Sequence, residues 1–206
     1  MSLCSAAAYN GAVFWLERWC LASWRTELLS TLEGDVLELG AGTGVNLDYY
    51  PSRVKNLTLV EPDPFMRRRL VRKLKLRRVG PETQILDTAA EVLTLDDAST
   101  DVVVATLVLC SVKNVLLVLE EARRVLRPKG KLVLIEHVAA PAGTTRRVWQ
   151  NCLEPVWTSL SGGCHLLRDP RLVIGEVGFK PVQVAQRELR GVPGFMKSAI
   201  LGTWSR

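Results

Sequence analysis

The sequence predicts an α/β fold: a seven-stranded sheet, mostly parallel with an antiparallel C-terminal hairpin, and helices on both faces. Apolar runs at 35–39, 57–61, 83–86, 101–107, 131–136, 181–186 and 198–204 are each strand-sized. Amphipathic segments alternate with most of them, and such alternation builds parallel strands joined by crossover helices. The last two runs are joined only by Glu188 to Pro193, too short for a crossover helix, so they pair antiparallel.

In chain order, residues 12–30 look helical, with Trp15, Trp19 and Trp24 among aliphatics and Glu17, Arg18 and Arg25 as the charged minority. Such a helix either covers a ligand cleft or dips into a lipid interface, where tryptophan is favoured. A short helix follows Gly44, and helical patterns occupy about 64–77, 114–127 and 168–177. The second of these is stopped by the turn Arg127-Pro128-Lys129-Gly130, just ahead of the fifth strand.

At 206 residues and 48% apolar composition, the chain is expected to be a single domain over 1–206, with 1–33 as an N-terminal helical cap or membrane-facing segment. No apolar run approaches the roughly 20 residues that span a bilayer. The N-terminus shows no basic segment ahead of an apolar core, so an intracellular location is expected, cytoplasmic or peripherally membrane-associated. The five cysteines are scattered without Cys-x-x-Cys spacing, which argues against a metal site or a disulfide framework.

The net charge of +6 is concentrated in one element. Arg67, Arg68, Arg69, Arg72, Lys73, Lys75, Arg77 and Arg78 fall within twelve positions that hold no acid, and without them basic and acidic residues nearly balance. Met66, Leu70, Val71 and Leu74 recur through this stretch at helical spacing, which makes it an amphipathic helix with a cationic outer face. A solvated face and peripheral contact with an anionic membrane both come ahead of nucleic acid as readings.

Ligands of open α/β sheets bind beyond the carboxyl ends of the strands, where strand order reverses, so the residues after each parallel strand carry the chemistry. After the first strand come Gly40, Ala41, Gly42 and Gly44, whose backbone a ligand can approach closely, with Glu38 one turn earlier. After the second comes Glu61, placed to accept both hydroxyls of a ribose. The spacing Gly-x-Gly-x-Gly departs from the dinucleotide pattern and suits a nucleoside carrying an amino acid rather than a pyrophosphate. It resembles the S-adenosylmethionine site of class I methyltransferases.

In that setting, Ala89 cannot hold the adenine amino group, which leaves the backbone of Ala90 and Glu91 to read the base. Thr106 to Val112 follow the fourth strand and run beside the methyl-bearing sulfonium. Glu136 and His137 follow the fifth. His137 is the candidate catalytic residue, since a strand-end histidine over the cleft can accept a proton from a nucleophile; the competing reading is a satisfied structural side chain. Cys164-His165 is poor metal geometry and fits a lid or simple packing. No Asn-Pro-Pro-Tyr-like motif follows the fourth strand, which argues against methylation of nucleic-acid bases.

Thr106-Leu107-Val108-Leu109-Cys110-Ser111-Val112, Arg124-Val125-Leu126-Arg127-Pro128 and Glu136-His137-Val138-Ala139 closely resemble the methyltransferase-like 7 family. Trp149-Gln150, Glu154-Pro155-x-Trp157 and Gly163-Cys164-x-Leu166 extend the resemblance, which covers most of the chain from Val36 onward. It implies S-adenosylmethionine-dependent methylation of small, apolar thiols, with Leu107, Cys110, Trp149, Trp157, Cys164 and Leu166 as the candidate acceptor pocket. Animal members carry an apolar membrane anchor where this chain has the Trp-rich helix, Asp-Pro-Asn where it has Glu61-Pro62-Asp63, and glycine where it has Lys129. The alternatives are a phospholipid amine or quinone-like acceptor, or a binding protein that has kept the fold without catalysis.

Overall fold

In the computed structural model, which describes residues 21–77 and 80–206, the apolar runs become strands at the expected places. They are β1 Gly34–Leu39, β2 Val54–Val60, β3 Glu82–Leu86, β4 Thr100–Thr106, β5 Leu126–His137, β6 Lys180–Glu188 and β7 Ser198–Ser205. All seven form one sheet in the order β3-β2-β1-β4-β5-β7-β6. The first five pair parallel, and β7 runs antiparallel to both β5 and β6.

Side chains alternate across a strand, so neighbours serve opposite core layers. Val36, Val102 and Val104 join one layer, and Leu37, Leu39 and Val103 the other. Helices close both layers: α1 Ala22–Leu29 and α2 Pro64–Leu76 on the first, α3 Val115–Val125 and α5 Pro170–Glu176 on the second. With both faces covered, the central strands read as continuous apolar runs. Full burial of a side chain such as Leu37 or Leu132 contributes about 1.5–3 kcal/mol.

The helix starts are written locally. Asp63 accepts from the Phe65 and Met66 amides, with Pro64 at the first helical position of α2; Asn114 does the same for Leu116 and Leu117 of α3. Asp63 is thereby committed to capping.

Two features depart from the sequence reading. The turn at Arg127–Gly130 lies inside β5 as an irregularity: α3 ends at Val125, pairing with β4 slips between Thr100 and Val102, and Lys129 takes a φ of 69°. Helix α4, Thr145–Leu160, is 16 residues long and had no counterpart in the sequence reading; it contains Pro155 and turns several of its apolar residues outward. The short helix expected after Gly44 is present, as the 3-10 helix Val45–Tyr49. Of the expected helix at 12–30, α1 is the described part, and its Trp24 and Leu28 pack in the core. Trp15, Trp19, Cys4, Cys20 and Arg78 lie outside the described residues. Among the described residues, no helix is long and apolar enough to cross a membrane, and no cluster of potential metal ligands occurs.

Candidate active site

Strand order reverses between β1 and β4, and the residues singled out in the sequence gather at that switch point. The Gly40–Gly44 loop turns through left-handed conformations, with φ of 60°, 57° and 81° at its three glycines. They serve different ends. A Cβ on Gly40 would sit 2.6 Å from Val108 Cγ2, and one on Gly44 would sit 2.7 Å from Leu70 Cδ1, so both are needed for packing. A Cβ on Gly42 would meet nothing nearer than the Gly40 carbonyl at 4.0 Å. That open side is where a ligand can lie against the backbone.

Glu61, at the end of β2, is buried and faces this loop. Its Oε2 accepts from the Gly42 amide at 2.7 Å and its Oε1 from the Asp63 amide at 2.8 Å. Burial pushes its carboxyl upward, and the two amides oppose that. Each oxygen keeps a lone pair for a ribose hydroxyl. Below the loop lies a buried polar network. The Asn46 amide donates to Glu38 Oε1 at 2.9 Å and to Thr106 Oγ1 at 3.1 Å, and Tyr50 donates to Glu38 Oε2 at 2.8 Å. Arg25 of α1 donates to Asn46 Oδ1. Burial raises the Glu38 carboxyl to about 7 against the pull of Tyr50, Arg25 and Asn46.

Beyond β3, Ala90 is buried, and the Glu91 carboxylate accepts from the Lys113 amide at 2.8 Å and the Asn114 amide at 3.3 Å. Its side chain therefore joins two loops.

The loop after β4 is held from three directions. Glu136 Oε1 accepts from the Val108 and Leu109 amides at 2.8 and 2.9 Å, and Arg168 donates to the Leu109 and Val112 carbonyls at 3.0 and 2.6 Å. The His165 amide donates to the Cys110 carbonyl at 2.8 Å. Leu107 enters this loop at a φ of 56°, a conformation that only such cross-bracing would hold. Cys110 is buried; the Cys164 sulfur and burial both push its thiol up, and Cys164 is the more acidic of the two. Glu136 is fully buried and raised to about 8 by burial, its Oε2 without a hydrogen bond.

His137 sits on the opposite face of β5 from Glu136. It is buried, neither ring nitrogen completes a hydrogen bond, and the Phe195 carbonyl is the nearest polar influence. Burial depresses it to about 4, so it is neutral at physiological pH. Helix α4 closes this side. Gln150 binds the Ala140 amide at 2.8 Å and the Phe195 carbonyl at 2.9 Å, and Trp157 meets the Phe195 ring edge-on at 5.5 Å. Glu154 pairs with His165 Nδ1 at 2.8 Å and accepts from the Leu166 amide at 2.7 Å, which fixes the loop carrying half-buried Cys164 and fully buried Leu166. His165 therefore serves packing.

One expected pocket residue is turned elsewhere. Trp149 is 58% exposed, whereas Gln150, Glu154 and Trp157 share the inward face of α4. At 100° per residue, Trp149 stands a quarter-turn or more off that face. Arg25, Arg168 and Phe195 were missed in the sequence because each works through segments remote in the chain, and Asn46 and Tyr50 because nothing in the run after Gly44 marks them as partners of Glu38.

A cradle with open backbone, a ribose-facing carboxylate and a polar floor fits S-adenosylmethionine. The comparisons agree. The model of the methyltransferase domain matches residues 37–134. Thiol S-methyltransferase TMT1B of Rattus norvegicus is 41% identical over 153 residues, which are 74% of this chain and 62% of the rat protein. The Homo sapiens TMT1B is 36% identical over 176 residues, 81% of this chain and 72% of that protein. Among solved structures, an S-adenosylmethionine-dependent methyltransferase from Methanosarcina mazei superposes with a TM-score of 0.69 at 16% identity, over 86% of this chain and 94% of that one. The cofactor of such proteins is S-adenosylmethionine, and the chain belongs to the methyltransferase family that contains TMT1A and TMT1B.

Proposed function

We propose that this chain methylates small, apolar thiols. The observation that carries the proposal is the contrast at the cleft: a cofactor side rich in aimed polar groups faces an acceptor side where the buried His137 is neutral. When bound, S-adenosylmethionine supplies a methyl on a sulfonium, open to in-line displacement. The residues then have to position the nucleophile, exclude water and avoid trapping a charge. A thiol with an ordinary pKa of about 8.5 is already partly ionised near neutrality, so no strong base is required. His137 at about 4 can accept a hydrogen bond from the thiol but is too weak to keep its proton. Its role is to orient the sulfur, with Trp157 and Phe195 beside it as apolar wall. The thiol specificity also draws on the names of the relatives.

Turnover of an alkyl thiol series beside alkyl amines and phenols tests this reading. Faster turnover of thiols is expected, and an amine turned over equally well rejects it. A second reading, a lipid-borne amine or quinone-like acceptor, draws on the outward face of α4. There Val148, Trp149, Val156 and Leu160 are 56–78% exposed. With the exposed Arg68, Arg72 and Lys75 of α2, they suit peripheral contact with an anionic membrane. Flotation with phosphatidylserine liposomes at low and high salt decides: absence of binding at low salt removes that reading.

A further inference from the structure

Of the cysteines among the described residues, Cys110 and Cys164 lie side by side although they are remote in the chain. Cys110 belongs to the loop after β4 and Cys164 to the loop between α4 and α5. The His165 amide, one residue on, donates to the Cys110 carbonyl at 2.8 Å. The same two stretches meet again where Gly163 passes the Ser111 carbonyl, which a Cβ would approach to 3.5 Å. The Cys110 thiol and the Cys164 sulfur share a hydrogen bond. Sulfurs in that contact can join with little movement of either backbone.

The two thiols differ in the way that exchange chemistry needs. Cys164 is half-buried and reachable by a small molecule, whereas Cys110 is only 3% exposed. The hydrogen bond from Cys110 holds the Cys164 thiol below its ordinary value, with Trp157 and Arg168 acting the same way, so Cys164 is the readier thiolate. The same contact and burial push Cys110 up, so it keeps its proton. We propose that the pair is a dithiol site for small organic disulfides, with Cys164 attacking and Cys110 resolving. The Cys164 thiolate attacks one sulfur of the disulfide, which breaks its S–S bond, forms a mixed disulfide and releases one thiolate. Cys110 then gives its proton to that thiolate and attacks the Cys164 sulfur. The Cys110–Cys164 bond forms and the second thiolate leaves. Two electrons pass from the pair to the organic disulfide, and no other oxidant is needed. The new bond straps the loop after β4 to the loop behind α4. The site depends on where two sulfurs lie and not on the methyl acceptor, so either proposal can fail alone.

The test incubates the full chain, without oxygen, with bis(2-hydroxyethyl) disulfide and maps the unreduced peptides by mass spectrometry over time. Most molecules should end with the Cys110–Cys164 bond, preceded by a transient adduct on Cys164, while exposed Cys152 takes up the reagent as its control. In Cys110→Ser the adduct on Cys164 should persist. In Cys164→Ser, Cys110 should react at least about tenfold more slowly than Cys164 does in wild type. A modified Cys152 without the Cys110–Cys164 bond, first modification at Cys110, or a lasting adduct on wild-type Cys164 would each overturn the proposal. If either variant does not fold, the order of species in wild type decides alone.

Discussion

The two halves of the cleft are built by different rules. The cofactor half is local: the Gly40–Gly44 loop, Glu61 and the Glu91 tie come from strand ends of β1 to β3, and their bonds run between backbone amides and carboxylates. The proposed acceptor half is assembled from distant pieces: His137 from β5, Gln150 and Trp157 from α4, and Phe195 from the β6–β7 connection. The first is charged and braced, the second neutral and shaped by side-chain packing. A ligand common to a whole fold can be met by backbone geometry, whereas an acceptor particular to one family has to be met by side chains.

The largest effect expected on the cofactor half is from Glu61→Ala. If Glu61 holds the ribose as proposed, the change removes two charge-assisted bonds, each worth roughly 1.5–3 kcal/mol, and it frees the Gly42 amide. Calorimetric affinity for S-adenosylmethionine should fall by at least about tenfold and up to hundredfold with the fold intact. Unchanged affinity would break the assignment, since the alternative carboxylate, Asp63, is occupied as a helix cap.

Next comes a pH effect at the seam between the halves. Glu136 is raised to about 8 in the folded chain from an ordinary 4.5, so the native state holds a proton that the unfolded chain releases. The resulting stability is complete below about pH 4.5 and is lost as pH climbs toward 8. Glu38, at about 7, acts in the same direction. Thermal melts should show Tm falling across this window. Glu136→Gln, which keeps an acceptor for the Val108 and Leu109 amides, should flatten the fall. A slope identical to wild type would show that Glu136 is ionised in the native protein.

The acceptor half can be sharpened with two tryptophans on one helix. Trp157→Ala should raise KM for thiols about tenfold, roughly 1.4 kcal/mol, while exposed Trp149→Ala should leave soluble-thiol kinetics within about twofold. Equal losses would place both at the acceptor. The smallest effect is expected at His137. His137→Gln should lower kcat about threefold to fivefold, by the same factor from pH 6 to 9, because the imidazole is neutral throughout. Recovery with rising pH would restore it as a proton acceptor.

Legibility in the sequence followed the same division. β1, β2, β4, β5 and β7 were visible as apolar runs because strands buried on both faces have little polar sequence, the exposed edge strands β3 and β6 gave runs mixed with polar residues, and Glu61 was visible from its spacing to the glycine loop. Family resemblance named both Trp149 and Trp157; the fold turns Trp157 inward against Phe195 and leaves Trp149 exposed, because a motif records adjacency in sequence and not helical phase. Helix α4 is amphipathic, but with its sides exchanged: Gln150 and Glu154 face inward and apolar Val148, Trp149, Val156 and Leu160 face out, so an expectation of an apolar inward stripe does not find it. Arg25 and Arg168 look like ordinary surface charges until the fold brings their partners to them.

The position of β7 has a consequence for how the molecule is made. The last strand in the chain is not the last in the sheet: Ser198–Ser205 lies between β5 and β6 and hydrogen-bonds to both. During synthesis, β5 therefore waits with an open edge until some seventy further residues have been added. β6 cannot join the sheet before then, and the Phe195 wall beside His137 is fixed only when β7 docks. A chain cut short before residue 198 would keep an intact glycine loop but expose the edge of β5 to pairing with other chains.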